Sequence, residues 1–424
     1  MQLPEDFIRE TKPLMGEDRF NSYLEAFQEE APVSIRLNPK VYQRDGSLSP
    51  SVQVPWCPEG FYLSDRPQFT FDPLFHAGCY YVQEAASMFI THILRAVANF
   101  SPFTLHSSLL DLCAAPGGKS TAMLSVLPEG NTLVSNEPIP TRAQILLENI
   151  TKWGAENCIV TNNYPRDFRK AKAKFDLILC DVPCSGEGMF RKDPATIGEW
   201  SLQNVEKCWR LQREIVADAW ECLNPGGILI YSTCTFNTKE NEENVRWIME
   251  EYDAEPITIP TDPSWHITGS LLEGFDAPVY RFIPGITRSE GLFVAVLQKS
   301  GDSKVTSSPP ESGGARGGLN MRPLKVFRPP LTPPRSALPL GSSKNSGGEG
   351  PRVDLSYFDA LKYLRGEALV LPPDTPRGIV TVSYKGFPLG PVKNIGNRAN
   401  NLYPKPWRIK TTHLPTEEII ILDI

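Results

Sequence analysis

Apolar and polar positions alternate along this chain in more than one rhythm, and the changes of rhythm divide it. Over residues 1–30, Phe7, Ile8, Leu14, Phe20, Tyr23, Leu24 and Phe27 recur at roughly helical spacing, which predicts helix. Ser34-Ile35-Arg36-Leu37-Asn38-Pro39 then predicts a strand stopped by proline. Residues 40–75 are rich in turn formers and aromatics, so 1–75 reads as a small N-terminal α+β region. A helical period returns over 81–98, with Gln83, Glu84 and Ser87 near its start.

From Ser107 the rhythm changes. Short apolar runs at 109–113, 132–135, 158–161, 175–180 and 228–231 alternate with helical patterns at 120–127, 141–153, 202–223 and 239–251. Such alternation predicts an α/β domain with a doubly wound, mostly parallel sheet. A late run, Gly291 to Leu297, predicts an added edge strand and carries this domain, 76–300, to its end. Residues 301–350 are Ser/Gly/Pro-rich and cannot bury enough apolar surface to order themselves. They predict a flexible linker, within which the Pro/Arg-rich stretch 321–340 is either linker or docking segment. Structure should resume near Leu355, with strands at 370–371, 379–384 and 418–422 in a small β-rich domain, 351–424.

Composition sharpens this picture. The chain has 424 residues, of which 41% are hydrophobic, enough for a sizeable core. No run approaches the ~20 apolar residues of a membrane span, and Met1-Gln2-Leu3-Pro4-Glu5-Asp6 lacks the regions of a signal peptide. Nine scattered cysteines point to free thiols in a reducing cytoplasm. No Cys-x-x-Cys pair occurs and the five histidines are dispersed, so no metal site is expected. The net charge of -6 is unevenly spread: residues 1–300 hold 26 Lys and Arg against 39 Asp and Glu, and residues 301–424 hold 17 against 10. A basic appendage on an acidic enzyme is the expectation.

Three segments carry candidate chemistry. Asp111-Leu112-Cys113-Ala114-Ala115-Pro116-Gly117-Gly118-Lys119 is a Gly-rich turn between a strand and a helix. Its glycines let backbone approach a ligand, and the helix offers free N–H groups. The spacing is not Gly-x-Gly-x-x-Gly, which disfavours a dinucleotide. Glu137, at the end of the next strand, is placed to accept from ribose hydroxyls. Asp181-Val182-Pro183-Cys184-Ser185-Gly186 and Ser232-Thr233-Cys234-Thr235 each follow an apolar run, so both thiols should stand at the carboxyl rim of the sheet. Glycines in Gly186-Glu187-Gly188 would let chain come close to substrate, and Phe190, Arg191 and Lys192 would offer stacking and phosphate contacts. A helix start near Lys239 would favour a thiolate at Cys234.

Together these segments resemble the signatures of the Fmu/Sun family of RNA (cytosine-5) methyltransferases. Tyr81-Val-Gln-Glu-Ala-Ala-Ser87 and Gly291-Leu-Phe-Val-Ala295 match flanking signatures of that family. Leu364-Arg365-Gly366-Glu367 and Asn401-Leu402-Tyr403-Pro404-Lys405 are similar to the C-terminal module of its RsmF-type small-subunit ribosomal RNA members. The resemblance implies a class I, Rossmann-like methyltransferase sheet with S-adenosylmethionine as cofactor and RNA, 16S ribosomal RNA before others, as partner; the N-terminal region, 1–75, and the basic C-terminal domain, 351–424, are expected to bind that RNA. A cytoplasmic monomer is expected. It further implies Cys234 as the nucleophile at C6 of cytosine, Cys184 as the thiol of product release, and Asp181 as the group that holds the base edge and also borders the cofactor. Cys113, Ala114, Ala115, Pro116, Gly117, Gly118 and Lys119 would cradle the methionine and ribose parts, Glu137 would meet the ribose hydroxyls, and Arg142 would also border the cofactor.

Two departures stand out. Where many relatives place an Asp to meet the adenine, this chain has Asn162-Asn163, with Asp167 further on; Asn163 is the favoured candidate. Where relatives often carry Pro-His, this chain has Pro284-Gly285. A DNA cytosine methyltransferase, a non-catalytic RNA-binding assembly factor and a nucleotide-dependent oxidoreductase are the rival readings.

Overall fold

The structure, a computed structural model, describes residues 3–42, 52–100, 107–301, 324–327, 350–411 and 413–422. Three sheets organise them. The first contains β1 (Ser34–Leu37), β2 (Val52–Gln53), β3 (Gly60–Tyr62) and β4 (Tyr80–Val82), in the order β2-β3-β1-β4 and antiparallel throughout. The helix expected from residue 81 begins instead at Phe89–Phe100. Tyr80, Tyr81 and Val82 are aromatic and β-branched, and β1 offers them a partner. The 75/76 boundary therefore falls inside this unit, before its last strand.

The second sheet is the centre of the molecule. It holds β5 (Ser108–Asp111), β6 (Thr132–Asn136), β7 (Cys158–Thr161), β8 (Phe175–Asp181), β9 (Leu223–Thr233), β10 (Ala254–Pro256), β11 (Val279–Phe282), β12 (Leu292–Lys299) and β13 (Val326–Phe327). Its order is β10-β12-β9-β8-β5-β6-β7-β13, with β11 also on β12. The five strands from β9 to β7 are parallel, as the alternating pattern predicts. Strand order reverses between β5 and β8, which makes that crevice the switch point where such sheets bind ligands. The expected edge strand over 291–297 forms as β12, but it lies inside the sheet: β10 and β11 both pair with its far side. At the other edge, β13 comes from the stretch that the sequence leaves as linker or docking segment, and it lies antiparallel on β7.

The third sheet is β14 (Arg352–Asp354), β15 (Gly378–Tyr384), β16 (Phe387–Asn394) and β17 (Ala399–Asn401), with the helix Tyr357–Arg365 packed on it. Only the middle of the three strands expected here forms. Leu369 makes a single bridge to Ala399, and residues 418–422 form no strand, although Leu422 is fully buried.

Packing redraws the expected units. The N-terminal segment forms two helices, Glu5–Met15 and Glu17–Glu25, broken at Gly16 where φ is 77°. Their apolar face does not meet the first sheet. Phe7, Phe20 and Tyr23 pack with Phe190, Trp200, Phe236 and Ile283 of the central domain. The first sheet shares its core with the C-terminal domain, where Ile35, Phe61, Phe71 and Tyr80 join Tyr357, Leu361, Tyr363 and Val380. The Tyr357 hydroxyl donates to Phe71 O across this contact, at 3.0 Å. Thus the basic tail is seated on the N-terminal sheet through an apolar core. Among the described residues no helix is long and apolar enough to cross a membrane.

Candidate active site

The Gly-rich turn follows β5 as expected. Gly117 has φ 114°, a conformation that favours glycine, and Gly118 opens the helix Gly118–Val126. Arg142 donates to Ala115 O at 3.0 Å, Asn149 donates to Pro116 O at 2.8 Å, and Ala114 N donates to Asn136 O at 2.8 Å. These contacts hold the turn open from outside. Beneath it lies Asp111, fully buried at the end of β5. Its Oδ2 accepts from Ser120 at 2.6 Å, while its Oδ1 has no partner. Burial pushes this carboxyl up to about 7, against the pull of the Ser120 hydrogen bond. On the other side of the turn, Gln83 Nε2 is also buried and unpaired, and it lies 3.4 Å from where a Cβ on Gly118 would be. An unmet acceptor and an unmet donor beside one Gly turn suit a zwitterionic ligand end, because buried polar groups are costly to leave unpaired. The side chains present therefore fit S-adenosylmethionine.

Glu137 sits just past β6 and is almost fully buried. Its Oε1 accepts from Ile139 N at 2.9 Å, and its Oε2 faces Arg142 at 3.5 Å. Asn163, expected at the adenine, has both ends of its amide on Lys325: its Oδ1 accepts from Lys325 N at 2.9 Å and its Nδ2 donates to Lys325 O at 3.1 Å. Asp167 caps its own helix by accepting from Tyr164 N at 2.9 Å. Each side chain thus satisfies backbone groups that would otherwise lack partners.

The two cysteines come together as the strand-end rule requires. Cys184 and Cys234 lie on neighbouring loops after β8 and β9, with their sulfurs 3.0 Å apart and both free. Cys234 N also donates to Cys184 Sγ at 3.2 Å. The hydrogen bond to Cys234 and desolvation push the Cys184 thiol well up, so Cys184 keeps its proton. Asp181 ends β8 beside them; its Oδ1 accepts from Ser232 at 2.7 Å and its Oδ2 from Lys119 at 2.8 Å. Lys119 thereby joins the cofactor turn to the thiol side. The helix expected to begin near Lys239 starts at Glu242, so the thiol of Cys184, and not a helix end, is the immediate neighbour of Cys234.

Three further expectations are corrected by packing. Gly188 does not clear space for substrate: a Cβ there would lie 2.6 Å from Gly291 Cα and 2.7 Å from Cys234 O, so the glycine lets the two cysteine loops touch. Phe190 is fully buried against Phe7, with ring centroids 5.1 Å apart. Arg191 is paired with Glu290 at 2.5 Å, so only Lys192 of that run remains exposed. Gly285, at φ 83°, explains the missing histidine. A Cβ there would stand 2.1 Å from Ser22 O of the N-terminal helix, so the segment accepts no side chain.

Two buried carboxylates escaped the sequence. Glu187 accepts from Phe236 N at 2.6 Å, Asn237 N at 3.0 Å and Trp200 Nε1 at 3.0 Å. Glu240 accepts from Ser185 N at 3.0 Å, Gln212 Nε2 at 2.7 Å and Asn237 Nδ2 at 2.8 Å. Glu187 belongs to the Pro-Cys loop and grips the Thr-Cys loop; Glu240 does the reverse. Burial pushes the Glu240 carboxyl up to about 7. Neither carries a signal in the sequence, because a Glu between two glycines and a Glu near a helix start both read as ordinary exposed positions.

Comparison with known proteins agrees with this geometry. Residues 103–298 match the family model for 16S rRNA methyltransferase RsmB/F, residues 3–85 the N-terminal domain of 16S rRNA methyltransferase RsmF, and residues 351–409 the methyltransferase RsmF PUA domain. The chain is 30% identical to ribosomal RNA small subunit methyltransferase F of Cronobacter sakazakii, over 95% of this chain and 96% of that protein. It is 33% identical to the protein of the same name from Pectobacterium atrosepticum, over 70% of this chain and 63% of that one. Among solved structures, a methyltransferase homolog from Pyrococcus horikoshii superposes with TM-score 0.58 at 25% identity, covering 70% of this chain and 95% of that one. NSun6 from the same organism, crystallised with SFG, gives 0.57 at 21% identity, covering 70% and 99%. With its cofactor turn, paired rim thiols and three matched domains, the chain belongs to the RsmB/F family of 16S ribosomal RNA methyltransferases, which use S-adenosylmethionine as methyl donor.

Proposed function

We propose that this enzyme methylates C5 of a cytosine in 16S ribosomal RNA, with Cys234 as nucleophile at C6. The observation that carries the reading is the pair of thiols 3.0 Å apart at the carboxyl rim next to the switch point, beside Asp181 and Lys119. C5 of cytosine is a weak nucleophile until C6 is attacked, and covalent catalysis divides that difficulty. The target base leaves its stack to reach the rim. Cys234 Sγ adds to C6 and charge moves into the ring, where Asp181 holds the base edge in reach of Lys119. Bound S-adenosylmethionine supplies an electrophilic methyl group. Release requires that a base, a water at the rim, take the C5 proton, the C5–H pair forming the C5–C6 double bond while the C6–S pair returns to the Cys234 sulfur. Cys184, next to that sulfur and itself protonated, is placed to give its proton to the departing thiolate. In this reading Glu137 and Arg142 border the ribose, and residues 113–119 frame the methionine end.

Trapping on a denaturing gel tests the division of labour. Cys234→Ala should give no turnover and no covalent RNA adduct. Cys184→Ala should attack and release poorly, leaving protein bound to RNA. An adduct from the Cys234 variant, with none from the Cys184 variant, reverses the roles. Bisulfite sequencing of RNA from a deletion strain identifies the cytosine; unchanged C5 methylation throughout the 16S RNA sinks the reading.

A further inference from the structure

We propose that the short strand led in by Lys325 is a working part of the cofactor site, a strap that fixes the adenosine end from outside. The inference rests on the placement of the ribose at Glu137. β13 runs antiparallel to β7 with Val326 opposite Thr161. Its lead-in therefore lies at the carboxyl end of β7, on the rim where this sheet binds ligand.

The strap is tied there through two asparagines. Asn162 N donates to Lys325 O at 3.0 Å, and the Asn163 amide brackets Lys325 from both sides. Lys325 Nζ donates to Asn162 Oδ1 at 2.8 Å. Asn162 in turn donates through Nδ2 to Glu137 O at 2.8 Å and Pro138 O at 2.9 Å. One side chain thus spans from the strap to the backbone that carries Glu137. Asn163 closes a second link: its O accepts from Asn136 Nδ2 at 2.8 Å and its N donates to Asn136 Oδ1 at 3.0 Å. Leu324 is buried in the core beneath, and Lys325 Nζ lies 5.3 Å from the Phe327 ring centroid.

Asn162 and Asn163 bind protein on one side and shape the ligand's rim on the other. Lys325 and Asn162 act as positioning residues; neither touches the reacting atoms. The competing account is that β13 only covers the free edge of β7, as exposed edges generally need. That account predicts a change in stability with no change in ligand affinity.

Calorimetry on the full chain separates them, with S-adenosylmethionine and adenosine as titrants. Replacing residues 324–327 by Gly-Ser-Gly-Ser should weaken both ligands by about tenfold or more, the equivalent of roughly one or two hydrogen bonds lost at the rim. Lys325→Met should weaken them by about threefold or more, and Lys325→Arg should restore affinity to within about twofold, since its guanidinium can still donate to Asn162. Ligand-free melting of each variant is recorded alongside. Affinity within about twofold of wild type in the replacement overturns the inference, whatever the melting point does. If the replacement does not fold, Lys325→Met decides the matter by the same criterion. Glu137→Ala is run in parallel. If it weakens binding and the strap variants do not, only the strap fails; if it too leaves affinity unchanged, the ribose placement fails and the inference with it.

Discussion

The two halves of the rim are built on opposite plans. On the cofactor half, the ends of β4 and β5 leave groups unfinished: Gln83 Nε2 and Asp111 Oδ1 are buried without partners. On the thiol half, the ends of β8 and β9 are closed. Glu187 and Glu240 each take three or more hydrogen bonds and lock the two cysteine loops together. A half that must grip a ligand keeps polar capacity in reserve. A half that must place two sulfurs satisfies its buried carboxylates in advance, because geometry there has little tolerance.

That contrast breaks most visibly at Glu187. Glu187→Ala would strand buried N–H groups of Phe236, Asn237 and Trp200, each costing ~1–3 kcal/mol. The expected loss is about 3–5 kcal/mol of stability, read by chemical denaturation, with methyl transfer lost and S-adenosylmethionine affinity in the surviving folded protein nearly unchanged. A fully active Glu187→Ala would mean that the thiol half is not held as described.

Glu240 gives the contrast a pH signature. Its carboxyl is raised from 4.5 to about 7, so the native state holds the proton more tightly than the unfolded chain does. Its contribution is therefore complete below pH 4.5 and lost as pH rises through about 7. Over that window the wild type should lose about 3 kcal/mol that Glu240→Gln does not lose. Parallel denaturation curves at about pH 5 and about pH 8 check the sign; a stability gain for the wild type over that range contradicts it.

On the cofactor half the expected effect is smaller and falls on binding. Glu137→Ala should weaken S-adenosylmethionine by ~1–3 kcal/mol by calorimetry, without the large loss of stability expected at Glu187.

The smallest effects belong to RNA contacts on the tail. Of the basic residues there, Arg365 pairs with Glu367, Lys385 pairs with Glu418, and Arg408 donates to Tyr403 O. Lys393, Arg398 and Lys405 stay exposed. Each of these three, changed to Ala, should lower the slope of log affinity against log salt by about one and leave S-adenosylmethionine binding alone. Unchanged slopes in all three would remove the tail as an RNA anchor. Truncation after Ser300 is a poor test of the same idea, since it would also uncover the first sheet's core and remove the strap.

Much of the centre was legible from the chain. The five parallel strands, the Gly turn with Glu137 after the next strand, and the meeting of Cys184 with Cys234 all follow from local rhythm plus one rule about strand ends. They follow because a buried parallel strand needs a continuous apolar run, which is a local property of sequence. Four things were decided only by tertiary structure. Tyr81 and Val82 became strand because β1 offered an edge. Phe190 and Arg191 went inward because the N-terminal helices cover them. The tail settled on the first sheet because two partial apolar faces matched. Lys325 to Phe327 joined the sheet because β7 ended in an open edge and two amides. None of these segments carries its outcome in its own pattern: a two-residue strand or a buried arginine is stabilised by what it meets, and sequence periodicity reports only how a segment would bury itself.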